Sequence, residues 1–195
     1  MPLIDLSSSA LIVIDAQHCF YGADRHDVDR ERLSEVITRV AWVGGVGRAL
    51  DVPTIITEED AARNGGTDPR IVAQLSPGTP TFAKHAFSAV DNADIIAAIE
   101  ATAKDTVVLV GLETDICVAQ TALRLQDHGK RVFVVHDAVF SPGQSHANGL
   151  ARMERAGIEL VSAKELLYDW VRTLERIREF CGANPELSTP PGFSL

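Results

Sequence analysis

The sequence is poor in cysteine, has no excess of basic charge and contains no long apolar run. Each shortage removes a class of protein. Cys19, Cys117 and Cys181 are an odd number of thiols, and none belongs to a CxxC pair. A disulfide framework and a zinc ribbon are therefore poor fits. Free thiols in a chain of this size point to a reducing, cytoplasmic setting. Eighteen basic residues face 27 acidic ones, a formal net charge of −9. A protein that grips a phosphate backbone needs a basic face, so nucleic acid is not an expected partner. No apolar stretch approaches the roughly 18 residues of a membrane span. The opening MPLIDLSSSA lacks the basic and apolar segments of a signal peptide, so no membrane partner is expected either. Internal repeats and low-complexity tracts are also missing. No GxGxxG or GxxxxGKS/T follows a strand, and Gly44-Gly45-Val46-Gly47 lies inside a helical pattern, which argues against a nucleotide-binding Rossmann protein.

What is present is an ordinary globular balance. The 195 residues are 46% hydrophobic and 23% charged, enough for one domain with a real core. Short apolar runs occur at residues 10–14 (ALIVI), 53–57 (PTIIT), 106–110 (TVVLV), 131–135 (RVFVV) and 158–161. Runs without polar alternation read as strands buried on both faces, the mark of a parallel sheet. Helical spacing fills the intervals. It predicts helices over residues 29–50, 91–103, 116–128 and 143–156, and a final one over 163–180 opened by a Ser162/Glu165 capping box. This alternation predicts a three-layer α/β/α sandwich with a mostly parallel, Rossmann-like sheet. Residues 1–181 are expected to form the domain. The stretch 182–195, with Pro185, Pro190 and Pro191, is expected to be an irregular tail.

In such sheets function gathers at the carboxyl ends of the strands. Asp15 directly follows the first run and is placed as a general base or as a loop cap. Cys117, in Gly111-Leu112-Glu113-Thr114-Asp115-Ile116-Cys117-Val118, falls in the first turn of a helix that Thr114 or Asp115 can cap. There the helix dipole and free amides favour a thiolate; the plain alternative is a small buried hydrophobe. Lys84 sits in Thr81-Phe82-Ala83-Lys84-His85-Ala86-Phe87-Ser88. A lysine in an apolar stretch either snorkels to the surface or answers buried anions.

Together, VIDAQHCF, Lys84 followed by a Phe-Ser pair, VGLETDICVAQTA and the later Asp137-Ala138-Val139 closely resemble the isochorismatase-like cysteine hydrolase superfamily. The resemblance covers nearly the whole chain, and the G-x-x-T-D-x-C-V element is its specific part. It implies Cys117 as nucleophile, Asp15 as the base that takes its proton, and Lys84 as the third member of a catalytic triad. It also implies a cis peptide at Leu112–Glu113, with the backbone of Glu113 and Cys117 forming an oxyanion hole. The implied reaction is amide-like C–N hydrolysis of a small molecule through a thioester. Vinyl-ether hydrolysis of the isochorismatase type and a non-catalytic interaction protein are the alternatives. Homo-oligomers, from dimers upward, are common in the superfamily.

The chain departs from the pattern in two places. Nicotinamidases of this superfamily carry a zinc site on an Asp-x-His after the second strand. Here that place reads Thr57-Glu58-Glu59-Asp60, and the Asp24/His26 pair lies after the first strand instead. No metal and no other cofactor are expected. Cys19 stands where the superfamily often has a polar or acidic residue, either facing the site or simply packed. For substrate contacts the expectation names Gln17 beside Asp15, Phe20 as an apolar wall, Glu58 at the mouth of the second strand, and Thr114. Glu59 is expected to be an exposed carboxylate at a helix start.

Overall fold

The computed structural model describes residues 3–192. Met1, Pro2 and the last three residues of the expected tail lie outside the described residues. Six strands form one parallel sheet: β1 (Ser9–Ile14), β2 (Thr54–Glu59), β3 (Thr81–Lys84), β4 (Thr106–Leu112), β5 (Arg131–Phe140) and β6 (Glu159–Val161). Their order is β3-β2-β1-β4-β5-β6, with every neighbouring pair parallel. The chain builds outward from β1 through β2 to β3, then returns to lay β4 on the other side of β1. In sheets of this kind the ligand site lies at the carboxyl ends of the strands where the order reverses.

Helices α1 (Arg30–Ala49), α2 (Ala61–Asn64) and α3 (Pro69–Val72) precede β3. After it come α4 (Ala93–Ala101), α5 (Ala119–Asp127), α6 (Gln144–Arg155), α7 (Ala163–Val171) and α8 (Leu174–Ala183). The sheet has a hydrophobic cluster on each face. Leu11, Val13, Val108 and Val110 pack with α1 and α7 through Val40, Val43, Leu166 and Trp170. Ile12, Ile14, Val107 and Leu109 pack with α4, α5 and α6 through Ile99, Leu125 and Met153. Successive residues of a strand point to opposite faces, so a strand covered twice must be apolar at every position. The result is the three-layer α/β/α sandwich. No helix among the described residues is long and apolar enough to cross a membrane.

Local chemistry sets the boundaries. Asp29 caps α1 by accepting from the Arg32 amide at 2.9 Å. Parts of the fold differ from expectation. The edge strand β3 is not among the expected strands, because four residues with exposed Thr81 and Ala83 carry too little apolar pattern. The helix expected over 163–180 is two helices. Arg172 turns to φ 68°, and the Thr173 hydroxyl accepts from the Arg176 amide to start α8. Apolar spacing continues across this break, so periodicity alone reads straight through it.

The segment after residue 181 is also more regular than an irregular tail. It completes α8, makes a short 3-10 turn at Pro185–Leu187 and closes over α1. Trp42 Nε1 donates to the Leu187 carbonyl at 3.1 Å. The Arg39 guanidinium reaches the Pro191 carbonyl at 3.0 Å and the Asp137 carbonyl at 2.8 Å.

Candidate active site

Four strand ends meet at the site. Gly111 of β4 has φ 119°, and a Cβ there would lie 1.9 Å from the Ile14 carbonyl oxygen. Only glycine lets β4 run this close to the end of β1. Asp15 follows at once, with φ 46° and no solvent exposure. Its amide donates to the Thr57 carbonyl at 3.0 Å, and the Thr57 hydroxyl donates to Asp15 Oδ1 at 2.8 Å.

Lys84 is the last residue of β3 and pairs in register with Glu59, the last of β2. Its ammonium is fully buried, 2.7 Å from Asp15 Oδ2 and 3.7 Å from Glu59 Oε2. It donates to the Ala86 carbonyl at 3.1 Å and to Cys117 Sγ at 3.5 Å. Cys117 is itself buried and donates to Glu59 Oε2 at 3.2 Å.

The helix expected from Ile116 begins differently. A π-helical turn, Thr114–Val118, precedes α5. Within it the Glu113 carbonyl takes the amides of both Ile116 and Val118, at 3.3 and 3.1 Å. The wider turn carries Cys117 toward the strand ends; such turns recur at functional sites. The peptide between Leu112 and Glu113 is cis.

The charges are mutually dependent. Burial pushes the Asp15 carboxyl up, while Lys84 and Thr57 favour its ionised form. Burial on its own would lower Lys84, but Asp15 first and then Glu59 help outweigh it and hold the ammonium protonated. Burial, Asp15 and Glu59 push the Cys117 thiol up, with Lys84 opposing. At rest the sulfur is therefore a thiol, and it needs a base to lose its proton. Burial also raises the Glu113 carboxyl.

Asp15, Glu59 and Cys117 place ligand-capable atoms within 4.8 Å of one another. The Lys84 ammonium already stands among all three and supplies the positive charge that a metal would bring. Asp24 and His26 are exposed and belong to no such cluster among the described residues.

The expected substrate residues take varied places. Gln17 is structural: its side-chain amide accepts from the Glu59 amide at 2.8 Å and donates to the Glu59 carbonyl at 3.0 Å. Phe20 is half-buried and meets Tyr21 edge-on at 5.2 Å. Thr114 is buried, with its hydroxyl 2.9 Å from His146 Nδ1. Glu58 turns away, accepting from the Thr67 amide at 2.7 Å and the Thr67 hydroxyl at 2.8 Å. Glu59, expected to be an exposed helix-start carboxylate, is the one that reaches the sulfur. The reason is length: β2 runs two residues past its apolar core, and the pairing with β3 turns Glu59 toward Lys84. Cys19 is exposed. Ser141 and His146 carry no signal in the sequence. Ser141 donates to Asp115 Oδ1 at 2.6 Å, and both residues brace the turn that carries Cys117.

The Isochorismatase domain matches residues 9–165. The probable hydrolase YcaC of Escherichia coli is 31% identical over 180 residues, covering 88% of this chain and 84% of its own. Its crystal structure, that of an octameric hydrolase of unknown specificity, superposes with a TM-score of 0.85 at 26% identity, covering 96% of this chain and 91% of that one. YcaC from Pseudomonas aeruginosa, solved with hexane-2,5-diol and covalent acrylamide, gives 0.84 at 27%, covering 96% and 92%. The MAR1 ribonuclease of Caenorhabditis elegans gives 0.83 at 28%, covering 99% and 97%. With the domain spanning most of its length and a relative above 30% identity along it, this chain belongs to the isochorismatase-like hydrolase family.

Proposed function

We propose that this protein is a cysteine hydrolase cleaving an amide, ureido or carbamoyl C–N bond of a small molecule through a thioester. The observation that carries the reading is the buried Lys84 ammonium within reach of both Asp15 and Cys117. A lysine so enclosed holds a carboxylate ionised beside a thiol, which is the pairing a general base and a nucleophile need.

Asp15 takes the Cys117 proton, and the sulfur attacks the carbonyl carbon. The C=O electron pair moves onto oxygen, where the backbone amides of Glu113 and Cys117 receive the charge. The tetrahedral adduct collapses, the C–N bond breaks, and protonated Asp15 gives its proton to the departing amine. Water then loses a proton to Asp15 and attacks the thioester. The acid leaves, and the thiolate recovers its proton from Asp15. Phe20 and Thr114 belong to the surroundings of the substrate in this reading, and Glu59 replaces Glu58 as the mouth carboxylate. No metal or other cofactor enters the scheme.

The covalent acrylamide in the Pseudomonas relative supports a reactive nucleophile in the family. The ribonuclease name of the nematode neighbour finds little support in this chain, whose net charge of −9 opposes a polyanion. The octameric relative and the exposed Leu3, Val72, Phe87, Tyr168 and Leu174 support a homo-oligomer. Three free thiols support a cytoplasmic, reducing setting.

A panel of small amides, ureas and carbamoyl compounds, assayed for ammonia, tests the reaction. At least one should be turned over by the native protein and by none of the Cys117→Ala preparations. Ammonia release that survives Cys117→Ala would contradict a thioester. Vinyl-ether cleavage that needs Asp15 but not Cys117 would favour the isochorismatase-type alternative.

A further inference from the structure

Glu59 has features that a strand-end carboxylate does not need for folding. One of its oxygens, Oε2, accepts from the Cys117 thiol and lies 3.7 Å from the Lys84 ammonium. The other makes no hydrogen bond or ion pair among the described residues. The side chain is 23% exposed, whereas those of Asp15 and Lys84 are fully enclosed. Its main chain is held with unusual care. Gln17 brackets both the amide and the carbonyl, and Asn64 Nδ2 adds a second bond to the carbonyl at 2.9 Å. A carboxylate with one oxygen unbonded among the described residues thus stands beside the sulfur and is partly open to solvent.

Resting on the cysteine-hydrolase reading, we propose that Glu59 is the specificity-determining residue, selecting substrates with an N–H donor on the scissile carbonyl and rejecting carboxylates. A carbonyl carbon in line for attack lies about 3–3.5 Å from the sulfur. With Glu59 Oε2 3.2 Å from that sulfur, the nitrogen substituent comes beside the same carboxylate, whose second oxygen can accept its N–H. Primary amides, ureas and carbamoyl compounds satisfy that acceptor. The charge count points the same way. Asp15 and Glu59 are two carboxylates against one ammonium, so an incoming anion meets an unbalanced negative charge at low local dielectric. A cationic or neutral N–H-bearing group is favoured by the same imbalance.

Two alkylating reagents of nearly equal size test this without a known substrate. Iodoacetamide carries an amide and iodoacetate a carboxylate. Each forms an S–C bond with a cysteine, releasing iodide and the thiol proton. Peptide mass spectrometry gives the rate ratio of the two reagents at Cys117, with exposed Cys19 in the same chain as the reference. The amide-to-acid ratio at Cys117 should exceed that at Cys19 by about tenfold or more. Glu59→Gln should bring it close to the Cys19 value, and Glu59→Asp, which keeps the charge, should retain most of it. Fast alkylation of Cys117 by both reagents, or a ratio unmoved by Glu59→Gln, overturns the proposal and leaves the nucleophile reading standing. Should Glu59→Gln fail to fold, the native ratio against Cys19 still decides. An amide-to-acid ratio at Cys117 no higher than that at Cys19, whatever the absolute rates, removes the Glu59 proposal, while ammonia release that survives Cys117→Ala removes the nucleophile reading with it.

Discussion

Cys117 has two unlike sides. Toward the strands it meets Asp15, Glu59 and Lys84, charged groups that determine one another's protonation. Toward α6 its turn is braced by hydrogen-bonded pairs, Thr114 with His146 and Asp115 with Ser141. The first side has the character of chemistry: its charges are enclosed, and one removal leaves the others uncompensated. The second has the character of support. Gly149 of α6 lies so near the turn that a Cβ would stand 2.7 Å from Asp115 Cα. Burial of ionisable groups is therefore not a sufficient sign of function. What separates the two sides is whether the groups are poised on the sulfur or on the backbone that holds it.

The largest effects are expected on the charged side. Cys117→Ala should reduce turnover to background while the thermal unfolding profile stays near native. Asp15→Asn should lower kcat/KM by about 10²–10⁴-fold, the usual worth of a general base. Lys84→Met leaves two carboxylates facing each other without their cation. It should cost about 3–5 kcal/mol in denaturant unfolding as well as activity.

On the supporting side the effects are structural first. Gly149→Val should destabilise by about 1–3 kcal/mol through overpacking. Activity should fall only as far as the turn moves, so kcat should drop less than in Asp15→Asn. A kcat loss equal to that of Asp15→Asn would mean that the supporting side takes part directly.

Acidity sharpens the distinction further. As the proposed base Asp15 must be ionised to act, and its pKa is raised from 3.8, mainly by burial. The acid limb of kcat/KM should therefore lie above the ordinary carboxylate range, with rate rising as pH increases through it. Lys84 is raised from 10.5, so its ammonium persists to that pH and beyond, and its deprotonation removes no activity near neutrality. An acid limb at or below 3.8 would count against Asp15 as the base. The smallest expected effect is on the other side. Burial, Arg32 and His136 lower His146 from 6.5. Its contribution to stability is present above 6.5 and is lost as pH falls through the depressed value. Unfolding midpoints measured between neutral and mildly acidic pH should decline less in His146→Gln than in the native chain.

The same contrast marks what can be read from residues alone. Asp15 and Cys117 follow apolar runs, so strand position by itself points to both. The two-sided sheet is legible in ALIVI and TVVLV because dry faces on both sides forbid polar positions. Lys84 needs the family resemblance, since its strand is a short exposed edge with little pattern. The residues alone do not tell which of Glu58 and Glu59 reaches the sulfur. Adjacent strand residues point oppositely, and the deciding fact is how far β2 extends and how it pairs with β3. Thr114, Ser141 and His146 are joined by tertiary contacts between distant segments, which no local spacing encodes.

The central claim is that Cys117 carries the substrate's acyl group during turnover. Acid-quenched mixtures of the protein with a hydrolysed amide, followed by peptide mass spectrometry, test it most directly. The account predicts a mass increment equal to the acyl group on the peptide containing Cys117, decaying as product forms and missing from Cys117→Ala. Product formation with no adduct in rapid-quench samples, at a rate unchanged by Cys117→Ala, would contradict it.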